Sequence, residues 1–466
     1  MCEPKKIKSY DREWQSTVTY ARDAVEVLLH SPLFTAHSQD FCNGDNPYRR
    51  PIRAHDFAHY HFHEPLGFSG QVSASALAAQ RLLAIIYETD MLFLPKRPME
   101  GKLKQDFETF YSDEFKIYGE IARPLLESHV FDFLRQEIDV TGKWTMDAAR
   151  AFFAERLATL NSTESPVGEA VLTARRPETA ARNMLVQLSS DFLTEASAMG
   201  RNVLGSYGAP LSRLFTIFMD EYGTGVHAAK HSSLYEKVME SAELATHPHH
   251  YWQFFLPSSL SLLNYFHYVS KSHRHFFRYL GALYFTEATL AHANSNQSRV
   301  LRTVFGNKID TLYFDEHAHI DRHHGRMALE EVIEPIVKRV GESVLPDIVR
   351  GFEEFCLLQN IADDDLVRQI KWCDYLGTGN AIVASPPCDG RALQDHEEER
   401  GLLSVTHIHD RSEIIFVKKG ELDIITGIGE PVHLRPGQGL IIPAGRLHGS
   451  RVVSDSCLYS IFPLDS

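Results

Sequence analysis

The feature that most constrains this chain is a change of hydrophobic period near Gly401. Upstream, apolar residues recur at helical spacing. In "SALAAQRLLAIIYETDMLFL" they are Leu77, Leu82, Ile85, Ile86 and Leu92, and the pattern stops at the Pro/Gly breaker "PKRPMEG". From about 136 to 378 longer helical patterns follow, rich in Phe, Tyr and Leu. Downstream of Gly401, short β-rich runs ("EIIFVKK", "ELDIITG", "GLIIPAG", "CLYSIF") alternate with Gly and Pro turns. A 3.6-residue period and a two-residue period cannot share one element. The chain is therefore expected to be multidomain, α then β. Its 466 residues suit about three domains. They are expected at 1–135 (helical), 136–380 (helical) and 381–466 (small β-barrel), with "LGTGNAIVASPPCDGRALQDHEEERG" supplying a linker over about 380–400.

Charge narrows the partners. There are 47 basic and 61 acidic residues, a net charge of −14, and no Lys/Arg-rich run, which argues against nucleic acid and anionic membranes. The N-terminal "MCEPKKIKSYDREWQ" lacks the apolar core of a signal peptide, and no apolar run is long enough to span a bilayer. The six cysteines form no C-x-x-C and no tight cluster. A cytoplasmic protein with reduced thiols is expected. The 25 histidines are the compositional oddity and point to metal chemistry.

Two histidines stand at a period of two. "GLLSVTHIHDRSEIIFVKKG" holds His407 and His409 followed by Glu413, and "GQGLIIPAGRLHG" adds His448 after a Pro-Ala-Gly turn. On a strand, residues two apart share a face. The turn would bring His448 in from a neighbouring strand. Three neutral imidazoles suit Fe(II), Mn or Zn and leave coordination positions open. These stretches resemble the paired motifs of the cupin family, departing at Val452, where cupins often carry Asn. Glu413 is a ligand in some cupins and a bystander in others.

Another set stands at a period of 3.6. "DEHAHIDRHHGRMALEEV" (Asp315 to Val332) offers two rival faces. With His317 at zero, Asp321 falls at roughly 40° and His324 at roughly −20°. Glu316, His319 and His323 share a second face. The first continues through Phe314, Ile320, Ala328 and Val332, the second through Arg326, Glu330 and Glu334. The first is therefore expected to be buried, and a buried His-Asp-His set needs a compensating cation. Gly325, inside this helix, reads as tolerated packing or as local softness of the ligand helix. Further ligands are sought among lone acids on apolar helices. Glu287 is one, and Glu195, on the stripe Leu188, Phe192 and Met199, is another. "FTIFMDEYGTGVHAAKHSS" offers Asp220 or Glu221, with His227 and His231. Together they make a dinuclear carboxylate-bridged site between helices plausible. "HDFAHYHFHEP", with His59, His61 and His63, reads as a surface loop. "THPHHYWQ" and "KSHRHFF" read as solvent-facing helix entries.

These segments resemble the heme-oxygenase-like diiron oxidases fused to a cupin, the N-nitrosourea-forming enzymes. The shared stretches include "NPYRR", "AAQRLL", "DFLTEAS", "RNVLG", "DEYGTGVH" with "KHS", "NYFHY", "FFRYLGALYFTE", "HIDRHHGRMA" and the cupin pair. The resemblance implies a helical bundle with iron ligands at Glu195, Glu221, His231, Glu287, His317, Asp321 and His324. It implies a cupin iron at His407, His409 and His448, with Tyr459 nearby as a catalytic residue or a barrel-packing one. It further implies Fe(II) as cofactor, two ions in the bundle and one in the cupin, with O2 as co-substrate and an external reductant. The implied reaction hydroxylates guanidine nitrogens of an arginine derivative, Nω-methyl-L-arginine in that family. The cupin then rearranges the product to an N-nitrosourea. The partner classes are a small-molecule amino acid and a second copy of the chain, joined through the N-terminal helices. Two other readings are a diiron N-hydroxylase with a structural or sensing cupin, and a non-catalytic iron-binding protein.

Overall fold

The computed structural model describes residues 19–34, 44–52, 57, 59, 60, 62–377, 379, 381–384, 394–401 and 403–464. Cys2, Cys42, Cys388, His61 and residues 380 and 385–393 of the expected linker lie outside the described residues. Nine helices carry the argument. They are α1 (Ala74–Glu88), α2 (Asp113–Phe131), α3 (Pro177–Phe192), α4 (Ala209–Glu221), α5 (His231–Ser241), α6 (Pro257–Lys271), α7 (Phe276–Phe305), α8 (Leu312–Arg326) and α9 (Leu345–Leu376). The Ser73 side chain caps α1 by accepting from the Ala76 N–H. Every residue from Ala76 to Glu88 is buried, so α1 is an inner helix of the bundle. It stops at Glu88, and Leu92, read from its spacing as part of this pattern, lies beyond the end and is 70% exposed.

Helix α7 packs along both α8 and α9. The approach to α9 is backbone to backbone. A Cβ on Gly281 would overlap the carbonyl oxygen of Ile348, and one on Gly351 would overlap that of Arg278. The buried Arg278 guanidinium is paired nearby with Glu354, its Nε 2.9 Å from Oε2. At the other crossing, a Cβ on Gly325 of α8 would lie 3.1 Å from the Glu287 carbonyl oxygen on α7. Gly325 thus has a packing reason: a larger residue would push α8 away from the helix carrying Glu287. Directly after α8 the chain continues as a π-helix, Met327–Ile333, a wider turn that adds a residue without breaking the rod.

The C-terminal part is two antiparallel sheets. The strands are β1 (Ile382–Val383), β2 (Gln394–Glu399), β3 (Leu403–His407), β4 (Glu413–Lys419), β5 (Leu422–Ile425), β6 (Val432–Leu434), β7 (Gly439–Ile442), β8 (His448–Val452) and β9 (Ser456–Pro463). One sheet runs β1-β7-β4-β9-β2 and the other β3-β8-β5-β6. The linker reading needs correction, because β1 and β2 fall inside it and pair with β7 and β9. The run "QDHEEE" forms β2 because an edge strand tolerates charge that an inner strand would not.

The β part docks on the helices through buried polar contacts. Arg81 of α1 donates to the Thr406 carbonyl (2.7 Å) and hydroxyl (2.8 Å). Arg446 pairs with Asp365 of α9 at 2.8 Å. Gln369 of α9 accepts from the Leu447 N–H at 3.1 Å and donates to its carbonyl at 2.9 Å.

The glycine contacts yield a sign test. Helix propensity alone would make Gly281→Ala stabilising by about 1 kcal/mol. The overlap with α9 should instead make it destabilising, by about 1–3 kcal/mol. Chemical denaturation of the full chain reads the difference, and a neutral or stabilised variant would contradict the close crossing.

Candidate metal centres

The helical centre forms where five segments end or cross. The last turn of α3 leads to Glu195, which sits in the turn after Phe192 and not on the helix. Glu221 is the final residue of α4 and His231 the first of α5. The loop between them is tight. Gly223 has φ +61°, and a Cβ there would lie 2.5 Å from the Ala229 carbonyl carbon and the Lys230 nitrogen. That reversal brings His231 Nδ1 to 2.6 Å from Glu221 Oε2. Glu287 comes from α7; His317, Asp321 and His324 come from α8.

The sequence left two faces of α8 in competition, and burial separates them. Phe314, His317, Asp321, His324, Ala328 and Val332 are buried, whereas Glu316, His319 and His323 are exposed. Two groups of potential ligand atoms result, each within 4.8 Å: Glu195, Glu221, His231 and His317, and Glu221, Glu287, Asp321 and His324. Glu221 belongs to both, the position of a bridging carboxylate. His227 is exposed, its ring 3.2 Å from the Ser233 hydroxyl, and joins neither group.

Outer contacts orient the rings. His317 directs Nδ1 to the Tyr313 carbonyl at 2.8 Å, which leaves Nε2 facing Glu195 Oε1 at 3.1 Å. His324 places Nε2 3.2 Å from Asp220 Oδ2, which leaves Nδ1 facing Glu287 at 3.3 Å. Asp220, weighed as a ligand from the sequence, thus stands behind one. The Tyr313 hydroxyl donates to Glu195 Oε1 at 2.8 Å. Sequence reasoning missed Tyr313, although it lies four residues before His317 on the same face.

Electrostatics show what the centre lacks. Burial would raise the Glu221 carboxyl, but His231, His317 and His324 hold it well below the usual range. Burial pushes Asp321 up to about 9, with further pressure from Glu287 and Glu221. Burial would lower His324, yet contacts with Glu221 and Glu287 lift it to about 11; Glu195 and Glu221 likewise lift His317 well above its ordinary value. The buried cluster therefore keeps protons on Asp321, His317 and His324 unless cations balance its charge. Both oxygens of Asp321 and Oε2 of Glu195 are buried with no hydrogen-bond partner among the described residues. Two divalent cations would match four carboxylates in charge, and mixed oxygen and imidazole donors suit Fe(II). The donor set fits a pair of irons. A cavity of about 620 Å3 opens against Glu195, Glu221, Glu287, His317 and Asp321.

The second centre is His407, His409 and His448, again within 4.8 Å. His407 ends β3 and faces His448 at the start of β8 in register. His409 lies two residues beyond the end of β3, so the shared strand face expected for the pair extends into the following loop. His407 and His448 direct Nδ1 to the carbonyls of Val405 (2.8 Å) and Arg446 (3.0 Å). A carbonyl only accepts, so Nδ1 carries the proton and Nε2 is left as the metal-facing atom. Burial and neighbouring imidazoles lower His409 to about 3 and His448 well below its ordinary value. His409 and His448 therefore favour the neutral, ligating form. Glu413 Oε1 lies 3.1 Å from His409 Nε2, and burial lifts that carboxyl to about 7. Tyr459 is buried in the core of the β part and stacks on His396 at 5.0 Å.

Other histidine stretches fall outside both centres. His59 and His63 are exposed. Two histidines expected at the surface are buried instead. His249 lies 3.0 Å from Glu88, which also pairs with the buried Arg50, and His275 packs against Tyr268.

The comparisons with known proteins agree with this geometry. Residues 182–360 match the family described as iron-containing redox enzyme, and residues 397–462 match the cupin domain. Nitrosourea synthase from Streptomyces achromogenes subsp. streptozoticus is 41% identical over 452 residues, covering 94% of each chain. The chain belongs to the nitrosourea synthase family. It is a non-heme iron oxidoreductase with a heme-oxygenase-like helical domain and a cupin domain.

In a centre built this way, His317→Ala or His324→Ala should lower helical-centre iron at least tenfold in affinity, by analogy with the loss of buried ligand contacts. His319→Ala and His323→Ala should change it little, as surface substitutions cost under about 0.5 kcal/mol. Anaerobic Fe(II) titration against a chelator measures both, and equal losses in the two pairs would refute the assignment of faces.

Proposed function

We propose that the two centres act in series on one small molecule, an arginine derivative such as Nω-methyl-L-arginine. The observation that carries this reading is Glu221, shared by two ligand groups beside a large cavity, in a chain that also holds a separate imidazole triad. Bound in the bundle, two Fe(II) ions with O2 and an external reductant would supply N-hydroxylation of the guanidine, and a third Fe(II) in the cupin would supply O2-dependent rearrangement to an N-nitrosourea. The relative's name, nitrosourea synthase, supports the product class.

The residues divide the work. Glu195, Glu221, Glu287 and Asp321 would hold the pair and balance its charge. Carboxylates change denticity easily, which suits a centre whose coordination must change as O2 binds. Tyr313 fixes Glu195 through its hydroxyl and His317 through its carbonyl. Apolar side chains of the cavity, among them Leu283 and Phe355, exclude water from the hydroxylation step. In the cupin, three neutral imidazoles leave open positions for substrate and O2. Tyr459, on β9, is a candidate catalytic residue of the cupin step. We also propose a homodimer. Ile117 and Ile121, one turn apart on α2, and Val27 are exposed apolar side chains that a second copy would cover. Light scattering should then give twice the chain mass.

Metal count and division of labour test the reading. Anaerobic loading should saturate at three irons per chain, and saturation at one would refute the dinuclear centre. The His407→Ala/His409→Ala double variant should consume substrate and release the N-hydroxylated compound without nitroso product. Glu287→Ala should leave starting material unchanged but still convert added hydroxylated compound. Product mass spectrometry reads all three outcomes, and nitroso product from the unaided cupin variant would overturn the assignment.

A further inference from the structure

The cavity against the helical centre has a lopsided charge. Among the described residues no lysine or arginine lines it. Its acids outside the metal-facing set are Glu164, Asp191, Asp363 and Asp364. Three of these are engaged. Glu164 faces Arg299 at 3.1 Å, Asp364 faces Arg368 at 3.6 Å, and Asp363 accepts from Gln359 at 2.9 Å. Asp191 differs. Among the described residues its carboxylate has neither a hydrogen bond nor an ion pair. It stands in the last turn of α3, four residues before Glu195. Burial, followed by the nearby Glu195 charge, pushes it up to about 7.

An unpaired carboxylate inside a partly apolar cavity is costly, and the cost is recovered when a ligand brings the opposite charge. Iron does not need Asp191, since the ligand groups close without it. Asp191 also lies on the wall of the same cavity that Glu195, Glu287 and Asp321 line. A group held there sits beside the metal-facing carboxylates.

We infer that Asp191 is the substrate-recognition residue of the helical centre, its carboxylate receiving the guanidinium of the arginine derivative through paired N–H···O bonds. This deepens the proposed function and rests on its substrate class. A planar guanidinium matches a carboxylate in fork geometry, so the contact fixes orientation as well as affinity. It turns one guanidine nitrogen towards the centre while the amino-acid end extends along the cavity. The lack of basic residues there leaves the substrate carboxylate to the neutral amides Gln297, Gln359 and Asn360, which also line the wall. A neutral ureido analogue such as citrulline has the same shape without the charge, and should gain little from Asp191.

The test is calorimetric binding to anaerobic Fe(II)-loaded full-length protein, with Nω-methyl-L-arginine and citrulline as probes. Asp191→Asn keeps size and shape and should weaken binding of the cation about 10- to 100-fold, the range for a lost charge-assisted pair. Binding of citrulline should change less than about threefold. Asp364→Asn, already paired with Arg368, should leave both probes as in the wild type. Mössbauer spectra of the Asp191→Asn protein should match the wild type, which separates recognition from damage to the centre. The inference is overturned if Asp191→Asn binds the cation as tightly as the wild type, if both probes weaken equally, or if the wild type binds no guanidinium. Charge-selective binding that depends on Asp191, without a hydroxylated product under O2, would refute the proposed reaction and leave the recognition role standing.

Discussion

Four carboxylates meet in one buried space, and Glu221 is common to both of the groups they form with histidine. That concentration of charge is the constraint on which the rest of the bundle depends. It is why His317 and His324 are driven to the charged form without metal, and why Asp321 retains a proton. It is also why the supporting helices cannot stand apart. Gly325 lets α8 approach α7, and Gly223 folds α4 back onto α5, so that donors from distant sequence share one space. The π-helix begins only after His324, where the regular turn has finished placing its three donors.

Helix α9 ties the two centres into one molecule without merging them. Its middle, at Phe355 and Gln359, lines the cavity of the helical centre. Its C-terminal part holds the segment that leads into His448: Asp365 pairs with Arg446, and Gln369 brackets Leu447. Trp372 stands edge-on to His448 at 6.4 Å. Asp365 and Arg446 are both buried, and breaking such a pair by removing one partner costs about 3–5 kcal/mol. The cupin histidines are thus set partly by the helices they dock on, while their ligand chemistry stays their own.

Much of this was legible in the sequence because periodicity carries side-chain direction. Apolar neighbours on α8 separated His317, Asp321 and His324 from His319 and His323, and burial follows the same division. The β runs after Gly401 all became strands. What failed lacks a local signal. The charged β2 looked like linker because its place at a sheet edge is a tertiary fact. His249 and His275 looked solvated because each stands at a helix entry, whereas Glu88 and Tyr268, their partners in space, lie on other elements. Glu195 looked helical because its stripe continues past Phe192, where the helix itself stops. Asp220 and Glu221 could not be separated by spacing. Their difference is which side of His324 each one faces.

The two centres differ in what occupies them before iron arrives. In the bundle, protons on His317, His324 and Asp321 stand where the cations would be, so loading must displace them. A lower pH adds to that competition and a higher pH relieves it. In the cupin, burial and mutual repulsion already keep His409 and His448 neutral at pH 7, so iron meets a donor set with little proton competition. A carboxylate-rich pair site that must trade protons for metal binds more weakly than a preformed imidazole triad. In the proposed reaction, the centre expected to hold iron less tightly is also the one with the movable ligands. In the proposed O2-dependent reaction, the same carboxylates that compete for protons would let the coordination of the bundle centre rearrange.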